Sequence, residues 1–179
     1  MDFTSFKLSS PIVKAIAEIG YSKATPVQCR AIPVILSGKD MIAVAQTGTG
    51  KTASFVLPLL EQIHNRYKKD NKVLRAKRIR ALILVPTREL AKQIKQSIDQ
   101  LGKYLNINCM AMYGGVDAQE QKQQLIWGVD IVVATPGRLL DMAHQRRLYF
   151  DTLDMLVLDE ADRMLDMGFI DDINKIIER

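Results

Sequence analysis

The stretch Met41-Ile42-Ala43-Val44-Ala45-Gln46-Thr47-Gly48-Thr49-Gly50-Lys51-Thr52 decides how the rest of the chain is read. An apolar run of strand length, Met41 to Ala45, leads into a glycine-punctuated turn and then into an apolar helical pattern from about Lys51 to about Tyr67. Strand, loop and helix in that order read as a Walker A phosphate loop. Glycines at 48 and 50 let the backbone bend so that consecutive N–H groups of Gln46 to Thr52, with the helix N-terminus, point at phosphate oxygens. Lys51 would reach the β- and γ-phosphates. The Thr52 hydroxyl is the expected protein ligand of Mg²⁺, an ion that takes oxygen donors and keeps much of its water. The strict pattern has glycine where this chain has Ala45, and the surrounding strand and helix compensate.

Outward from this loop, short apolar runs alternate with helical patterns. Strands are predicted at Met41 to Ala45, Ala81 to Val85, Ile107 to Tyr113, Asp130 to Ala134 and Met155 to Leu158, with helices between them. That is the pattern of an α/β domain, a mainly parallel sheet with helices on both faces. Ser10 and Pro11 read as N-cap and first residue of a helix through Ile19 that stops at Gly20, and Thr25-Pro26 repeats the start. Pro58 falls inside the helix after the phosphate loop and predicts a tolerated kink. Ligands of open α/β sheets bind beyond the carboxyl ends of the strands, so the chemistry is expected on one edge.

The last strand runs into Leu158-Asp159-Glu160-Ala161-Asp162. An aspartate at a strand end can hold Mg²⁺ through water, and the next glutamate can polarise the water that attacks a γ-phosphate. Asp159 takes the first role and Glu160 the second. An acidic first helical turn would explain the same residues through the helix dipole, at under ~1 kcal/mol per charge, but the upstream phosphate loop favours the chemical reading.

Composition narrows the field. The 179 residues are 47% hydrophobic and 25% charged, enough for one compact domain with a real core. No apolar run reaches membrane-spanning length and no signal-peptide pattern opens the sequence, so an intracellular, cytoplasmic protein is expected. Cys29 and Cys109 lie outside any CxxC, which suggests neither a disulfide framework nor a structural metal. The net charge of +5 is compatible with a polyanionic partner. Much of the excess lies between Arg66 and Arg80, where Lys68, Lys69, Lys72, Arg75, Lys77 and Arg78 outnumber Asp70, and reads first as a solvated loop. His64 and His144 carry no ligand spacing and are expected on helix surfaces; Trp127 and Tyr113 are expected in core or support roles.

The string Asp159-Glu160-Ala161-Asp162 spells the motif that names the DEAD-box helicases, and further blocks follow in that family's order. Gly20-Tyr21-Ser22-Lys23-Ala24-Thr25-Pro26-Val27-Gln28 resembles the Q motif, with the isolated aromatic Phe3 upstream; Pro86-Thr87-Arg88-Glu89-Leu90-Ala91 resembles motif Ia, Gly114-Gly115 the GG motif, and Thr135-Pro136-Gly137-Arg138 motif Ib. The resemblance runs from Phe3 to about Phe169 and implies a RecA-like P-loop NTPase fold with three α/β/α layers. It divides the chain into an N-terminal helical region with the Q motif, residues 1–38, and a first RecA-like ATP-binding domain, residues 39–179. It makes Gln28 the reader of adenine, suited by an amide's donor and acceptor, although Thr25-x-x-Gln28 is also a capping box. Phe3 would stack on the base. Ala24 departs from the family's usual proline, which would loosen that turn.

Motifs Ia, GG and Ib would contribute Pro86, Thr87, Arg88, Gly114, Gly115, Thr135, Pro136, Gly137 and Arg138 to a track for RNA backbone, with little sequence preference and a slope near ~0.7 per neutralised phosphate in log affinity against log salt. Asp162 would couple this domain to a second RecA-like domain. The wording Val44-Ala45-Gln46-Thr47-Gly48 and Arg163-Met164-Leu165-Asp166-Met167-Gly168-Phe169 is similar to the bacterial RhlE-type subgroup. The family's motif III and second domain do not occur before Arg179. The expectation is therefore a parent protein that couples ATP hydrolysis to local unwinding of short RNA duplexes. The 179 residues alone would turn over negligibly, the alternative being a module that only binds adenine nucleotide.

Overall fold

The computed structural model describes residues 1–69, 79–145, 148 and 150–179. Lys72, Arg75, Lys77 and Arg78 of the basic stretch lie outside them. The chain groups into two compact units, Met1–Val73 with Gln96–Ile107 and Leu74–Lys95 with Asn108–Arg179.

The first unit is helical. A 3-10 turn at Phe3–Phe6 precedes α1 (Ser10–Glu18), α2 (Pro26–Leu36) and α3 (Lys51–Lys69). The N-cap of α1 is Ser9, one residue before the predicted cap, and its hydroxyl makes no cap bond; its N–H donates instead to the buried Glu61 carboxylate at 2.7 Å. Gly20, at φ +84°, ends α1 where expected, with Gly20 and Tyr21 N–H groups closing back on the Ala17 and Ile16 carbonyls. α3 continues through the buried Pro58 and packs on α2, to which the Gln62 amide also donates, at the Ile35 carbonyl, 2.8 Å. Leu57, Leu59, Leu60 and Ile32 are fully buried there. A surface clasp ties α1 to the turn after α4: Glu18 accepts from Lys103 at 2.8 Å and from the Tyr104 hydroxyl, while the Lys14 ammonium lies 4.1 Å from the Tyr104 ring centroid. Those hydrogen bonds, first from Lys103 and then from Tyr104, hold the Glu18 carboxyl below its ordinary range.

The second unit carries the sheet: β1 (Ala81–Leu84), β2 (Cys109–Met112), β3 (Ile131–Ala134) and β4 (Met155–Leu158), all parallel, in the order β2-β3-β1-β4. Between and after them come α4 (Arg88–Leu101), which crosses into the first unit, α5 (Ala118–Trp127), α6 (Pro136–His144), α7 (Ala161–Asp166) and α8 (Ile170–Ile177). Leu82, Leu84, Met110, Met112, Val132 and Ala134 share one sheet face and one core with Leu139 and Met142 of α6, Met164 of α7, and Ile173 and Ile176 of α8. Ile83, Ile131 and Val133, on the opposite face, are also fully buried, as a parallel sheet covered on both sides requires. The chain is thus the three-layer α/β/α arrangement that the alternation predicts.

Several expectations change. Met41 to Ala45 forms no strand: it pairs with none of the four strands, and Ile42 and Val44 are 95% and 97% exposed. An apolar run without a ladder to join has nothing to hold it as a strand. β4 is consequently a sheet edge among the described residues, with Leu156 and Leu158 partly exposed. Arg80 is buried and pairs with Asp154 at 3.6 Å, so it is no part of a solvated loop. Trp127 is 78% exposed, which rules out the core role among its expected core or support roles. His144 is exposed, but His64 buries an unpartnered Nε2, and this desolvation, the main effect on it, lowers its basicity.

Candidate nucleotide site and nucleic-acid surface

The phosphate loop belongs to the first unit. Gly48 and Gly50 stand at φ +81° and +87°, conformations that L side chains rarely adopt, and α3 begins at Lys51 directly after them. The Thr49 hydroxyl donates to the Gln46 carbonyl at 2.7 Å and tightens the turn; Gln46, Thr47 and Gly48 are exposed, while Lys51 and Thr52 are half-buried. The Lys51 ammonium is turned back onto the Ala45 carbonyl at 2.7 Å, so the one cation of the loop bridges its two ends.

Gln28 is joined to this loop. Its side chain is 3% exposed and closes a full capping box with Thr25, accepting from the Thr25 N–H at 2.9 Å. Its amide nitrogen donates to the Gly50 carbonyl at 3.2 Å. A Cβ on Gly50 would lie 2.5 Å from that nitrogen, so the glycine is required by the contact as well as by its φ. Phe3 is buried, stacked on Tyr21 at 6.2 Å between centroids and edge-on to Phe6 at 6.0 Å. For a base to stack on this ring, as expected, the buried Phe3 must first be uncovered. Ala24 donates its N–H to the Met1 carbonyl at 3.0 Å, a bond that proline could not make, so the departure at this position ties the turn down instead of loosening it.

In the second unit β4 passes into Asp159 and Glu160. Glu160 has φ +52° and ψ +46°, a left-handed conformation that costs a non-glycine residue about 1–3 kcal/mol. The elbow is held by the Glu160 N–H on the Asp159 carboxylate at 3.1 Å and by the Glu160 carboxylate on the Arg163 guanidinium at 3.2 Å. Asp162 accepts from the Arg163 N–H at 2.9 Å and is exposed in the first turn of α7.

The three loops that follow β1, β2 and β3 come together on the same unit. Thr87 caps α4, its hydroxyl accepting from the Leu90 N–H at 3.2 Å, while Arg88 is exposed, 3.6 Å from the Glu89 carboxylate. An Arg88 Nη1 lies 3.4 Å from where a Cβ of Gly115 would stand, which places that guanidinium against the Gly114-Gly115 turn. Arg138 donates to the Gln121 side chain at 3.0 Å and to the Val116 carbonyl at 3.4 Å. Gln121 in turn donates to the Tyr113 carbonyl at 3.2 Å. Thr135 caps α6 without a side-chain bond, and Gly137 has open space around it. Pro86 and Pro136 are buried at the starts of α4 and α6.

Sequence motifs mark neither the inward turn of Gln121 nor the pairing of Arg163 with Glu160. Gln121 lies in the run Gln119 to Gln124, where four glutamines look alike and only the fold shows which one turns inward. Arg163 could have been found from its i,i+3 spacing to Glu160.

Glycines in left-handed geometry ahead of a helix, and an acidic elbow at the end of a parallel strand, define a class: α/β domains that bind nucleotide phosphates. The DEAD/DEAH box helicase family matches residues 25–179, and the chain belongs to that family. It is 46% identical over 177 residues to a probable ATP-dependent RNA helicase, ddx27, of Dictyostelium discoideum, covering 98% of the chain and 22% of that relative. It is 46% identical to the ATP-dependent RNA helicase CshA of Listeria monocytogenes, covering 98% of the chain and 32% of the relative. A crystal structure of a hypothetical ATP-dependent RNA helicase from Sulfolobus tokodaii superposes with a TM-score of 0.84 at 36% identity, over 96% of this chain and 47% of that one. The fold is therefore RecA-like, and the chain spans a third or less of the curated relatives it matches here. No helix among the described residues is long and apolar enough to cross a membrane.

Proposed function

We propose that this chain is the ATP-binding half of an ATP-dependent RNA helicase, holding ATP and part of an RNA backbone while a second RecA-like domain of the parent protein completes the motor. The observation that carries the reading is the bond from the Gln28 amide to the Gly50 carbonyl. It joins the residue suited to read adenine to the loop suited to hold phosphates. In that reading residues 1–38 supply base recognition and residues 39–179 the phosphate and RNA contacts.

The residues divide the work as follows. N–H groups of Gln46 to Thr52 and the start of α3 bind the phosphates, and Lys51 exchanges the Ala45 carbonyl for a γ-phosphate oxygen. Thr52 would offer its hydroxyl to Mg²⁺ and Asp159 would hold the ion through water, a sparse set of protein oxygens that suits an ion keeping much of its hydration, and the ion would supply neutralisation of phosphate charge. Glu160 orients the attacking water, with its carboxylate steered by Arg163. Thr87, Arg88, Gly114, Gly115, Thr135, Gly137 and Arg138 meet the sugar-phosphate backbone, and Asp162 relays closure of the second domain. Opening a stacked pair costs about 1.4 kcal/mol per step, which domain closure on ATP is able to meet. A cytoplasmic place suits such an activity. The wording around Ala45 and after Asp162 supports a bacterial RhlE-type parent.

Calorimetric titration with Mg²⁺-ADP and Mg²⁺-GDP tests the carrying observation. ADP binds, GDP does not, and Gln28→Ala and Lys51→Ala each weaken ADP at least several-fold. Equal binding of the two nucleotides removes the adenine assignment, and RNA-stimulated ATP turnover by the 179 residues alone removes the need for a second domain.

A further inference from the structure

Gln121 is the one glutamine of its run that is buried, at 3% exposure, in a helix whose Gln119, Glu120 and Gln123 face solvent. Burying an amide is costly unless both of its ends are bonded. Here both are: the nitrogen donates to the Tyr113 carbonyl, 3.2 Å, just before Gly114-Gly115, and the oxygen accepts from Arg138 Nε, 3.0 Å. The second bond of Arg138, 3.4 Å to the Val116 carbonyl, grips the far side of the same turn. One side chain thus fixes the position of a glycine turn and the direction of a guanidinium. Arg88, beside Gly115, is brought alongside them.

A guanidinium has five N–H donors in a rigid fork, so two bonds that set its direction leave donors for an outside anion. A lysine offers only a mobile point charge and could not be set in this way.

We infer that Gln121 is a positioning residue for nucleic-acid binding, aiming Arg138 and holding the Gly114-Gly115 turn for adjacent phosphates of a single RNA strand. This deepens the RNA-backbone reading above and rests on it. Gln121 itself touches no RNA; it acts through Arg138 and through the turn.

The test is a double-mutant cycle on the affinity of the chain for a fluorescein-labelled single-stranded oligoribonucleotide, read by anisotropy from about 25 to 200 mM salt. Arg138→Ala is expected to weaken binding about tenfold and to lower the salt slope by about 0.7. Gln121→Met, of similar volume, is expected to lose several-fold by itself and clearly less than that in the Arg138→Ala background, where only its hold on the turn remains to be lost. Arg138→Lys keeps the charge but loses the fork, and is expected to bind nearly as poorly as Arg138→Ala while retaining the folded far-UV signal. If Arg138→Lys binds like the wild type, or if the Gln121 and Arg138 losses multiply, positioning through Gln121 is overturned while the RNA surface stands. If the wild type does not bind at the lowest salt, or Arg138→Ala binds like it, the RNA-surface reading itself falls and takes this inference with it.

Discussion

The phosphate loop and the three-loop surface after β1, β2 and β3 both suit phosphates, but they are built by different means. The loop is a short segment whose shape comes from two glycines in left-handed geometry and one long-range bond, Gln28 to Gly50. The surface is assembled from segments tens of residues apart, joined by Gln121, Arg138 and Arg88. Shape dictated by local backbone chemistry can be read in a string of letters. Shape dictated by which of several like side chains turns inward cannot.

The sharpest way to break this contrast is to place a methyl group at each glycine of the loop. Gly48 and Gly50 share nearly the same φ, but a Cβ at Gly48 meets nothing within 4 Å, whereas one at Gly50 falls 2.5 Å from Gln28 Nε2. Gly48→Ala should cost only the backbone strain, about 1–2 kcal/mol. Gly50→Ala adds about 1–3 kcal/mol of overpacking, because the Gln28 amide is the end of a side chain yet is held at both of its ends and must surrender the Gly50 carbonyl to make room. Urea unfolding of the two variants measures the difference. Equal losses would mean that the Gln28 contact does not constrain the loop.

What the sequence revealed follows the same division. Four of the five predicted strands form within a few residues of their expected ends, because short apolar runs bounded by polar turns have one stable use in an alternating α/β chain. The Thr25 cap, the Gly20 stop and the α3 start were legible for the same local reason. The left-handed Glu160 was hidden, since Asp-Glu ahead of a helical pattern carries no mark of positive φ. The burial of Arg80, Pro86 and Pro136 was hidden too, because it depends on Asp154 and on sheet packing that the local sequence does not display.

The two threonines of the three-loop surface sharpen the comparison at about half that energy. Thr87 and Thr135 occupy equivalent N-cap positions, but only Thr87 has a side-chain bond to its helix, 3.2 Å from the Leu90 N–H. Thr87→Ala should cost about 1 kcal/mol of stability, and Thr87→Ser should recover most of it. Thr135→Ala should stay within about 0.5 kcal/mol of the wild type. Thermal unfolding separates the two, and RNA affinity supplies the second reading: a Thr135 hydroxyl spared from capping can serve the backbone, so Thr135→Ala should weaken binding with little change in stability. A destabilised Thr135→Ala would place a structural bond there.

The smallest effect is expected where the sequence promised the most. Met41 to Ala45 has the composition of a buried strand, and burial of Ile42 and Val44 would stabilise the fold by about 1.5–3 kcal/mol per side chain. With both at 95% exposure or more, that gain is not taken. Ile42→Thr with Val44→Thr should therefore leave the unfolding free energy of the chain, measured in urea, within about 0.5 kcal/mol of the wild type. A loss of several kcal/mol would mean that the segment packs as a strand in solution, and the lead into the phosphate loop would then be built by tertiary contacts, like the surface it is contrasted with. A null result has a different consequence. It would mean that the glycines and Gln28 suffice to hold the loop, so the Gly50→Ala loss should be the same whether residues 42 and 44 are apolar or polar.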